Sequence, residues 1–166
     1  MRPAERAAVR DLVRAAFVPY ADAFGPELFA AYLADLMELD AGGRPVTLVA
    51  TDGDDRITGT VRLYPAGGTD AVRLPADWAW MRAAAVAPDR LRDGVATALV
   101  AACERLAAAG GATALCLHTA TFMTATHAFA DRHGFHRAPA WDLDGGVHFG
   151  FPEQDLRVIA YARELP

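Results

Sequence analysis

The sequence of 166 residues contains no serine, and this absence removes one large class of enzyme. A serine hydrolase of the α/β type needs a Gly-x-Ser-x-Gly turn to carry its nucleophile, so that chemistry is excluded. Metal-ligating residues are also few, with five histidines and two cysteines in the whole chain. Their spacing differs from the patterns that hold zinc, and we therefore expect no metal site.

The two cysteines fall in apolar segments. Cys103 lies within a run of helical periodicity, and Cys116 lies in the apolar segment Thr113 to Leu117 that follows. Residues in such places are predicted to be small members of the core. A disulfide between them stays open at this point, but the chain shows no secretion signal, so we expect free thiols.

Neither a basic surface nor a membrane-spanning run is present. The formal net charge of −5 argues against a nucleic-acid partner and is compatible with a small cationic substrate. No stretch of about eighteen apolar residues occurs, and the start of the chain lacks the charged-then-apolar pattern of a signal peptide. With 53% hydrophobic residues, we expect one domain over residues 1–166, located in the cytoplasm and acting without a membrane.

Two amphipathic helices are predicted before the first strand. Ala4 to Val18 carries apolar residues at helical spacing and stops at Pro19. A second helix is predicted from Pro26, because proline suits the first helical turn, and it is expected to end at Gly42-Gly43.

The rest of the chain alternates strands and helices. Val46 to Thr51 and Ile57 to Tyr64 predict a hairpin, since Asp and Gly dominate the residues between them. Strand-helix-strand crossovers in the second half predict at least one parallel pair of strands in a mixed sheet. The other predicted elements are strands at Trp78 to Val86, Thr113 to Leu117, Phe135 to Leu143 and Gln154 to Leu165, a short strand around Val72, helices from Gly94 and from Met123, and a Gly-rich loop before the last strand.

The segment Val86 to Ala96 carries the strongest functional signal. An apolar strand ends before Pro88 and a helix opens at Gly94, so the first N–H groups of that helix lack intrahelical partners. Such a helix start is suited to binding a phosphate. Arg92 adds positive charge, whereas Asp93 would repel a phosphate unless its carboxylate turned to solvent.

Two motifs together resemble the GCN5-related N-acetyltransferase (GNAT) superfamily. Val86-x-Pro88 followed by Gly94-x-Ala96 and Ala98-Leu99 is similar to that family's acyl-CoA pyrophosphate loop, and the helix from Met123 ends in the family's Gly134-Phe135. The resemblance covers nearly the whole chain. It implies an α/β (α+β) fold with a mixed, mostly antiparallel sheet, a central parallel pair of strands that splays apart, and helices on both faces.

The resemblance also implies a co-substrate, acetyl-CoA or another acyl-CoA. Backbone N–H groups from Leu91 to Ala96, with help from Thr97, would hold its pyrophosphate at the helix start. Small side chains at Ala83 to Ala85 would let the pantetheine arm lie along the strand. The implied cofactor-binding residues are Ala84, Ala85, Val86, Leu91, Arg92, Asp93, Gly94, Val95, Ala96, Thr97 and His118.

The catalytic residues depart from the family pattern. Leu91 stands where the family usually has Arg or Gln, and Ala130 stands where it commonly has a tyrosine that acts as general acid. A thiol leaves readily, so such an acid is helpful but not indispensable. The predicted catalytic groups are a backbone N–H near Val86 for the oxyanion, His127 as a replacement acid or base beside Ala130, and Asp77 as a further base. Other titratable side chains stay open as alternatives, namely Asp35, Glu38 and His133.

The predicted function is direct transfer of an acetyl group from acetyl-CoA to a small-molecule amine. The alternative is a protein of the same fold that binds CoA or another ligand, or catalyses another reaction, because Leu91 and Ala130 replace two typical functional side chains. A longer acyl donor and a homodimer, which is common in the family, also stay open. The sequence does not select the acceptor.

Overall fold

Helices form the first part of the computed structural model, which describes residues 1–39, 45–68 and 72–166. Both predicted helices are confirmed: α1 spans Arg6–Phe17 and α3 spans Pro26–Met37. The four-residue helix α2, Ala21–Phe24, lies between them. The predicted end of the second helix at Gly42-Gly43 is wrong, because α3 already ends at Met37, and Glu38 leaves the helical conformation with a ψ of 89°. Gly42-Gly43 itself lies outside the described residues.

One sheet contains the seven described strands. They are β1 Val46–Thr51, β2 Ile57–Tyr64, β3 Trp78–Val86, β4 Ala114–Ala120, β5 His136–Arg137, β6 Leu143–Asp144 and β7 Arg157–Glu164. Their order in the sheet is β1-β2-β3-β4-β7-β5, with β6 also beside β7. β3 and β4 are parallel, and the other described pairs are antiparallel. The predicted hairpin, β1 with β2, is confirmed, and so is the mixed, mostly antiparallel sheet.

The parallel pair splays apart. β3 and β4 face each other over four positions, and the last pair is Met81 with Leu117. Beyond it, β3 continues to Val86 along β2, while β4 continues to Ala120 along β7. The two strands therefore leave a gap at the carboxyl end of β3, as the resemblance implies.

Helices cover both faces of the sheet, which confirms that part of the prediction. On one face α4, Val95–Ala109, packs Leu99, Val100 and Cys103 against the sheet, and α5, Thr124–Arg132, contributes to the same core. On the other face the buried stripe of α1 packs together with α3 and α6, Gly145–Phe149. Within the described ranges, no helix combines the length and the apolar character needed to cross a bilayer.

Both cysteines are buried and free, as predicted. Cys103 lies in α4 and Cys116 lies in β4. Burial raises the pKa of each thiol to about 12. Both therefore act as small core residues without a thiolate at neutral pH.

The carboxyl-terminal third differs from the prediction in one strand. The predicted strand over Phe135 to Leu143 is wrong, because only His136–Arg137 and Leu143–Asp144 pair with β7. A 3-10 turn, Pro139–Trp141, separates the two pieces. Proline fixes its own φ and has no N–H to donate, so the ladder cannot run through this point.

Two smaller predictions also change. The predicted strand around Val72 falls partly on residues 69–71, outside the described residues, and Val72 itself lies in a bend. The predicted Gly-rich loop contains α6. Its first two residues must be glycines, since a Cβ on Gly145 would lie 2.6 Å from Leu156 and one on Gly146 would lie 2.1 Å from the Gln154 carbonyl oxygen.

Candidate active site

A cavity of about 520 Å³ occupies the gap between the splayed strands. Arg82 to Val86 of β3 line one side, and Leu117 to Ala120 of β4 line the other. The cavity reaches Leu91 and Ala96 near the start of α4 and extends to α1, α3 and α6 on the opposite face of the sheet. Its volume suits a small-molecule ligand.

A bulge shapes the β3 wall. Ala83 and Ala84 together stand opposite one residue of β2, Val61, and the φ of Ala83 is 52°, in the left-handed region. Such a bulge bends a strand and commonly lies beside a binding site. Ala84 to Val86 then line the cavity, and past Met81 the edge of β3 that faced β4 has no strand partner among the described residues. Backbone donors on that edge are available to a ligand.

The start of α4 presents free N–H groups. Gly94 has a φ of 81°, and the first helical bond runs from the Ala98 N–H to the Gly94 carbonyl at 3.0 Å. The N–H groups of Val95, Ala96 and Thr97 have no partner among the described residues, and no side chain caps the helix. Aligned donors of this kind, with the helix dipole behind them, form an anion site.

The charges around this turn are unequal. Arg90 donates to Asp52 at 3.0 Å and lies 3.9 Å from Asp93, so the Asp93 carboxylate has a cation nearby and is itself exposed. Arg92 is exposed and has no hydrogen bond or ion pair within the described ranges. Leu91 is 60% exposed and lines the mouth of the cavity. Arg92 is thus the cation that a phosphate at the turn could recruit.

The Thr97 hydroxyl has another role. Its Oγ1 lies 2.9 Å from His133 Nε2, and His133 Nδ1 lies 2.9 Å from the Phe129 carbonyl. A carbonyl only accepts, so Nδ1 carries the proton and Nε2 accepts from the hydroxyl. The Thr97 side chain therefore ties α4 to α5, and its backbone N–H is the group left for an anion.

The structure does not bring His127 or Asp77 into the cavity. Asp77 precedes β3, and its carboxylate accepts a hydrogen bond from Thr113 Oγ1 at 2.6 Å. At about 3.3 Å per residue along a strand, Asp77 lies roughly 30 Å from Val86. His127 Nε2 lies 3.0 Å from the Ala120 carbonyl, to which it must donate. His127 is not among the described residues that line the cavity.

His118 does line the cavity, one residue beyond the last paired position of β4. Its Nε2 donates to the Trp141 carbonyl at 2.8 Å, so Nδ1 is the unprotonated nitrogen, buried and without a partner among the described residues. Burial lowers the pKa of His118 below its ordinary value. The ring is therefore neutral at pH 7, and it packs edge-on against Trp80.

Aromatic rings form the part of the cavity that faces α1, α3 and α6. Tyr32 stacks on Phe24 at 4.6 Å and meets Phe149 edge-on at 5.4 Å. Burial raises the pKa of Tyr32, so its hydroxyl stays protonated. The sequence makes Tyr32, Trp78 and Trp80 candidates for lining an acceptor pocket, although such spacing is more typical of core residues. Tyr32 and Trp80 line the cavity, Trp78 is not among its described lining residues, and the other rings have no sequence signal beyond that spacing. We call this part the aromatic half, and its rings are Phe17, Tyr20, Phe24, Tyr32, Trp80 and Phe149.

One ion pair lies at the edge of the aromatic half. Arg82 Nη1 donates to Asp35 Oδ1 at 3.2 Å, and the guanidinium lies 5.2 Å from the centre of the Trp80 ring. Arg82 lines the cavity, whereas Asp35 does not. The nearby carboxylate is therefore already engaged by a cation of the protein.

Comparison with known proteins agrees with this geometry. A model of the acetyltransferase (GNAT) family matches residues 6–135. A GNAT-family acetyltransferase from Staphylococcus aureus Mu50 superposes with a TM-score of 0.70 at 15% identity, over 100% of this chain and 96% of that one. PaiA N-acetyltransferase from Thermoplasma acidophilum, solved with coenzyme A, superposes with a TM-score of 0.68 at 12% identity, over 96% of this chain and 94% of that one.

An aminoglycoside 6'-acetyltransferase type Ii gives a TM-score of 0.65 at 16% identity, over 99% of this chain and 93% of that one. These identities show a shared fold and no more. No curated protein matches the sequence. The family model, in contrast, spans most of the chain and includes both sequence motifs, so the chain belongs to the GNAT acetyltransferase family.

Proposed function

We propose that residues 1–166 form a single acyl-CoA-binding domain that transfers an acetyl group from acetyl-CoA directly to the amine of a small molecule. The observation that carries this proposal is the continuity of one cavity from the start of α4, through the gap between β3 and β4, to the aromatic half. A cofactor that enters at the turn can thus meet an acceptor inside the sheet.

The cofactor would lie with its pyrophosphate on the N–H groups of Val95 to Thr97. The helix dipole at this end stabilises an anion by about 0.3–1 kcal/mol, and the positive charge of Arg92 would attract the pyrophosphate in addition. The pantetheine arm would follow Ala84 to Val86 into the gap, where small side chains leave room. Solved structures of similar fold contain acetyl coenzyme A or coenzyme A, which supports the same co-substrate here.

The chemistry needs a neutral amine and a thioester. The amine lone pair forms the new C–N bond at the acetyl carbonyl, the C–S bond breaks, and the proton lost by nitrogen ends on the CoA sulfur as a thiol. A backbone N–H at the end of β3, near Val86, would stabilise the oxyanion by roughly 3 kcal/mol. The cavity face of α5 carries Ala125, Thr126 and Phe129, which do not ionise in this pH range, and Ala130 is fully buried.

The cavity itself would deliver the amine in its neutral form. Desolvation disfavours an ammonium ion, and it therefore lowers the pKa of a bound amine. No acidic side chain among the described residues lines the cavity to oppose this shift. Asp77 and His127, placed outside it, are not needed as bases in this scheme.

Binding and turnover test the proposal separately. Titration calorimetry with acetyl-CoA and with CoA measures binding, and thiol release in the presence of amines measures transfer. The two native thiols are buried, so they contribute little background to a thiol reagent. The absence of heat with both acetyl-CoA and CoA would overturn the proposal.

A CoA-binding protein without transfer activity is the second candidate. The apolar Leu91 at the cavity mouth and the buried Ala130 favour it, because both replace side chains typical of active family members. CoA binding without thiol release from any amine in a broad panel would select this candidate. Thiol release with one amine would exclude it.

A further inference from the structure

We infer that the acceptor is a monoamine with an aromatic body, and not a polycation such as a polyamine or an aminoglycoside. The inference rests on the proposed function, since it names the substrate class for that transfer. Three features of the aromatic half carry it: the charge of its wall, the state of its ion pair and the arrangement of its rings.

The described residues that line the cavity offer no anion. Its ionisable lining residues are Arg82, His118, His148, Tyr20 and Tyr32, and none of the described Asp or Glu side chains is among them. A polycation would bring several ammonium groups into this space without a carboxylate to pair with. Unpaired charges in a desolvated site are strongly disfavoured. The chain is acidic overall, but that charge lies outside the cavity.

The carboxylate of Asp35 is already paired with a residue of the cavity wall. Arg82 Nη1 donates to Asp35 Oδ1 at 3.2 Å, and the Arg82 side chain is largely buried. A ligand cation that competed for Asp35 would have to displace Arg82 and leave it unpaired. The ion pair thus presents its positive end to the cavity, because Arg82 lines the wall and Asp35 is not among the described lining residues.

Aromatic rings can also attract cations through their faces, and here Trp80 and Tyr32 each have one face occupied by another group of the protein. The Trp80 ring already has the Arg82 guanidinium 5.2 Å from its centre, and the Tyr32 ring stacks on Phe24 at 4.6 Å. Phe149 meets Tyr32 edge-on. This arrangement favours a flat apolar group packed against ring edges over a bound ammonium.

Binding of amines to the protein tests the inference directly. The probes are 2-phenylethylamine, spermidine and kanamycin, titrated calorimetrically at pH 8 into the protein with and without CoA. We expect 2-phenylethylamine to bind roughly tenfold more tightly than either polycation, and its thiol release with acetyl-CoA to follow the same order. Equal or tighter binding of spermidine or kanamycin would overturn the inference, and so would no binding of 2-phenylethylamine at millimolar concentration.

The two proposals fail in different ways. The absence of binding of both acetyl-CoA and CoA contradicts the proposed function. The relative affinities of the three amines for the protein without CoA still test the acceptor class in that case. Binding of CoA together with a preference for kanamycin contradicts the acceptor class and leaves the transferase proposal intact.

A matched pair of variants isolates the charge of the wall. Phe149→Glu adds a carboxylate to the aromatic half, whereas Phe149→Gln removes the same ring and adds a neutral group of the same size. We expect the Glu variant to bind spermidine roughly tenfold more tightly than the Gln variant, while the two variants bind CoA with equal affinity. Equal spermidine affinity in the two variants would show that wall charge does not select the acceptor.

Discussion

Replacement of Gly94 by alanine tests where the cofactor pyrophosphate binds. Gly94 has a φ of +81°, and Gly111, just past the other end of α4, has the same φ. A Cβ on either glycine would meet no atom within 4 Å, so neither substitution creates a clash. The left-handed conformation costs an L-residue roughly 1–2 kcal/mol. Gly94→Ala and Gly111→Ala should therefore lower the free energy of unfolding by similar amounts.

The two variants should differ in cofactor affinity. Gly94 adjoins the unpartnered N–H groups of Val95 to Thr97, whereas Gly111 is at the carboxyl end of α4, far from them. A pyrophosphate that lies against the backbone at Gly94 leaves no space for a Cβ. We expect Gly94→Ala to weaken acetyl-CoA binding by roughly tenfold, which corresponds to about 1.4 kcal/mol. Gly111→Ala should bind like the wild type.

Two measurements settle the comparison. Urea unfolding gives the stability of each variant, with the slope against urea as a check that both still unfold as the wild type does. Titration calorimetry gives the dissociation constant for acetyl-CoA. Wild-type affinity in Gly94→Ala would refute the placement of the pyrophosphate. An equal loss of affinity in both variants would show that the effect passes through the stability of α4.

Three further substitutions test the packing and the electrostatics. Gly59→Ala should destabilise the fold by roughly 1–3 kcal/mol in urea unfolding, because the new Cβ would lie 2.5 Å from Val95 Cγ1. Adding Val95→Ala to the same chain should recover most of the lost stability, and no recovery would contradict that contact. Arg92→Ala should weaken acetyl-CoA binding roughly two- to fivefold at low salt. Arg105 on α4 is also exposed, and Arg105→Ala should leave acetyl-CoA binding unchanged; equal effects of the two substitutions would exclude a local contact between Arg92 and the cofactor. The lowered pKa of His118 means that the folded state disfavours the protonated ring. The neutral ring therefore makes its full contribution to stability above the ordinary pKa of 6.5, and that contribution is lost as the pH falls from 6.5 through the lowered pKa. His118→Gln should flatten that decline in unfolding free energy, and an unchanged slope would contradict a buried neutral ring.

Much of the fold follows from signals within short segments. The starts at Pro26 and Gly94 and the end at Gly134 are set by the conformational demands of proline and glycine, and the structure has helix boundaries at each. Where a local signal was overlooked, the prediction went wrong. Pro139 lies inside the predicted strand over Phe135 to Leu143, and it interrupts that strand.

The register of strand pairing and the surroundings of individual side chains were not predicted. The bulge at Ala83 exists because two residues of β3 stand opposite one of β2, and nothing in the sequence around Ala83 specifies that register. The same limit applies to Asp77 and His127. Asp77 lies at the start of β3, whereas the cavity lies at the carboxyl end of that strand, and the His127 ring contacts the Ala120 carbonyl. Sequence spacing places a residue on an element but does not say which end or face meets the ligand.

The anion-binding turn and the acceptor cavity show the same division. The turn is contiguous, from Val86 to Ala96, so its glycine, its free N–H groups and its arginines could be recognised along the chain and linked to a family. The aromatic half is assembled from α1, α2, α3, β3 and α6, which come from segments more than a hundred residues apart. Periodicity marks those aromatic residues as apolar, and only the packing of these elements leaves their rings around a cavity whose described lining residues include no anion.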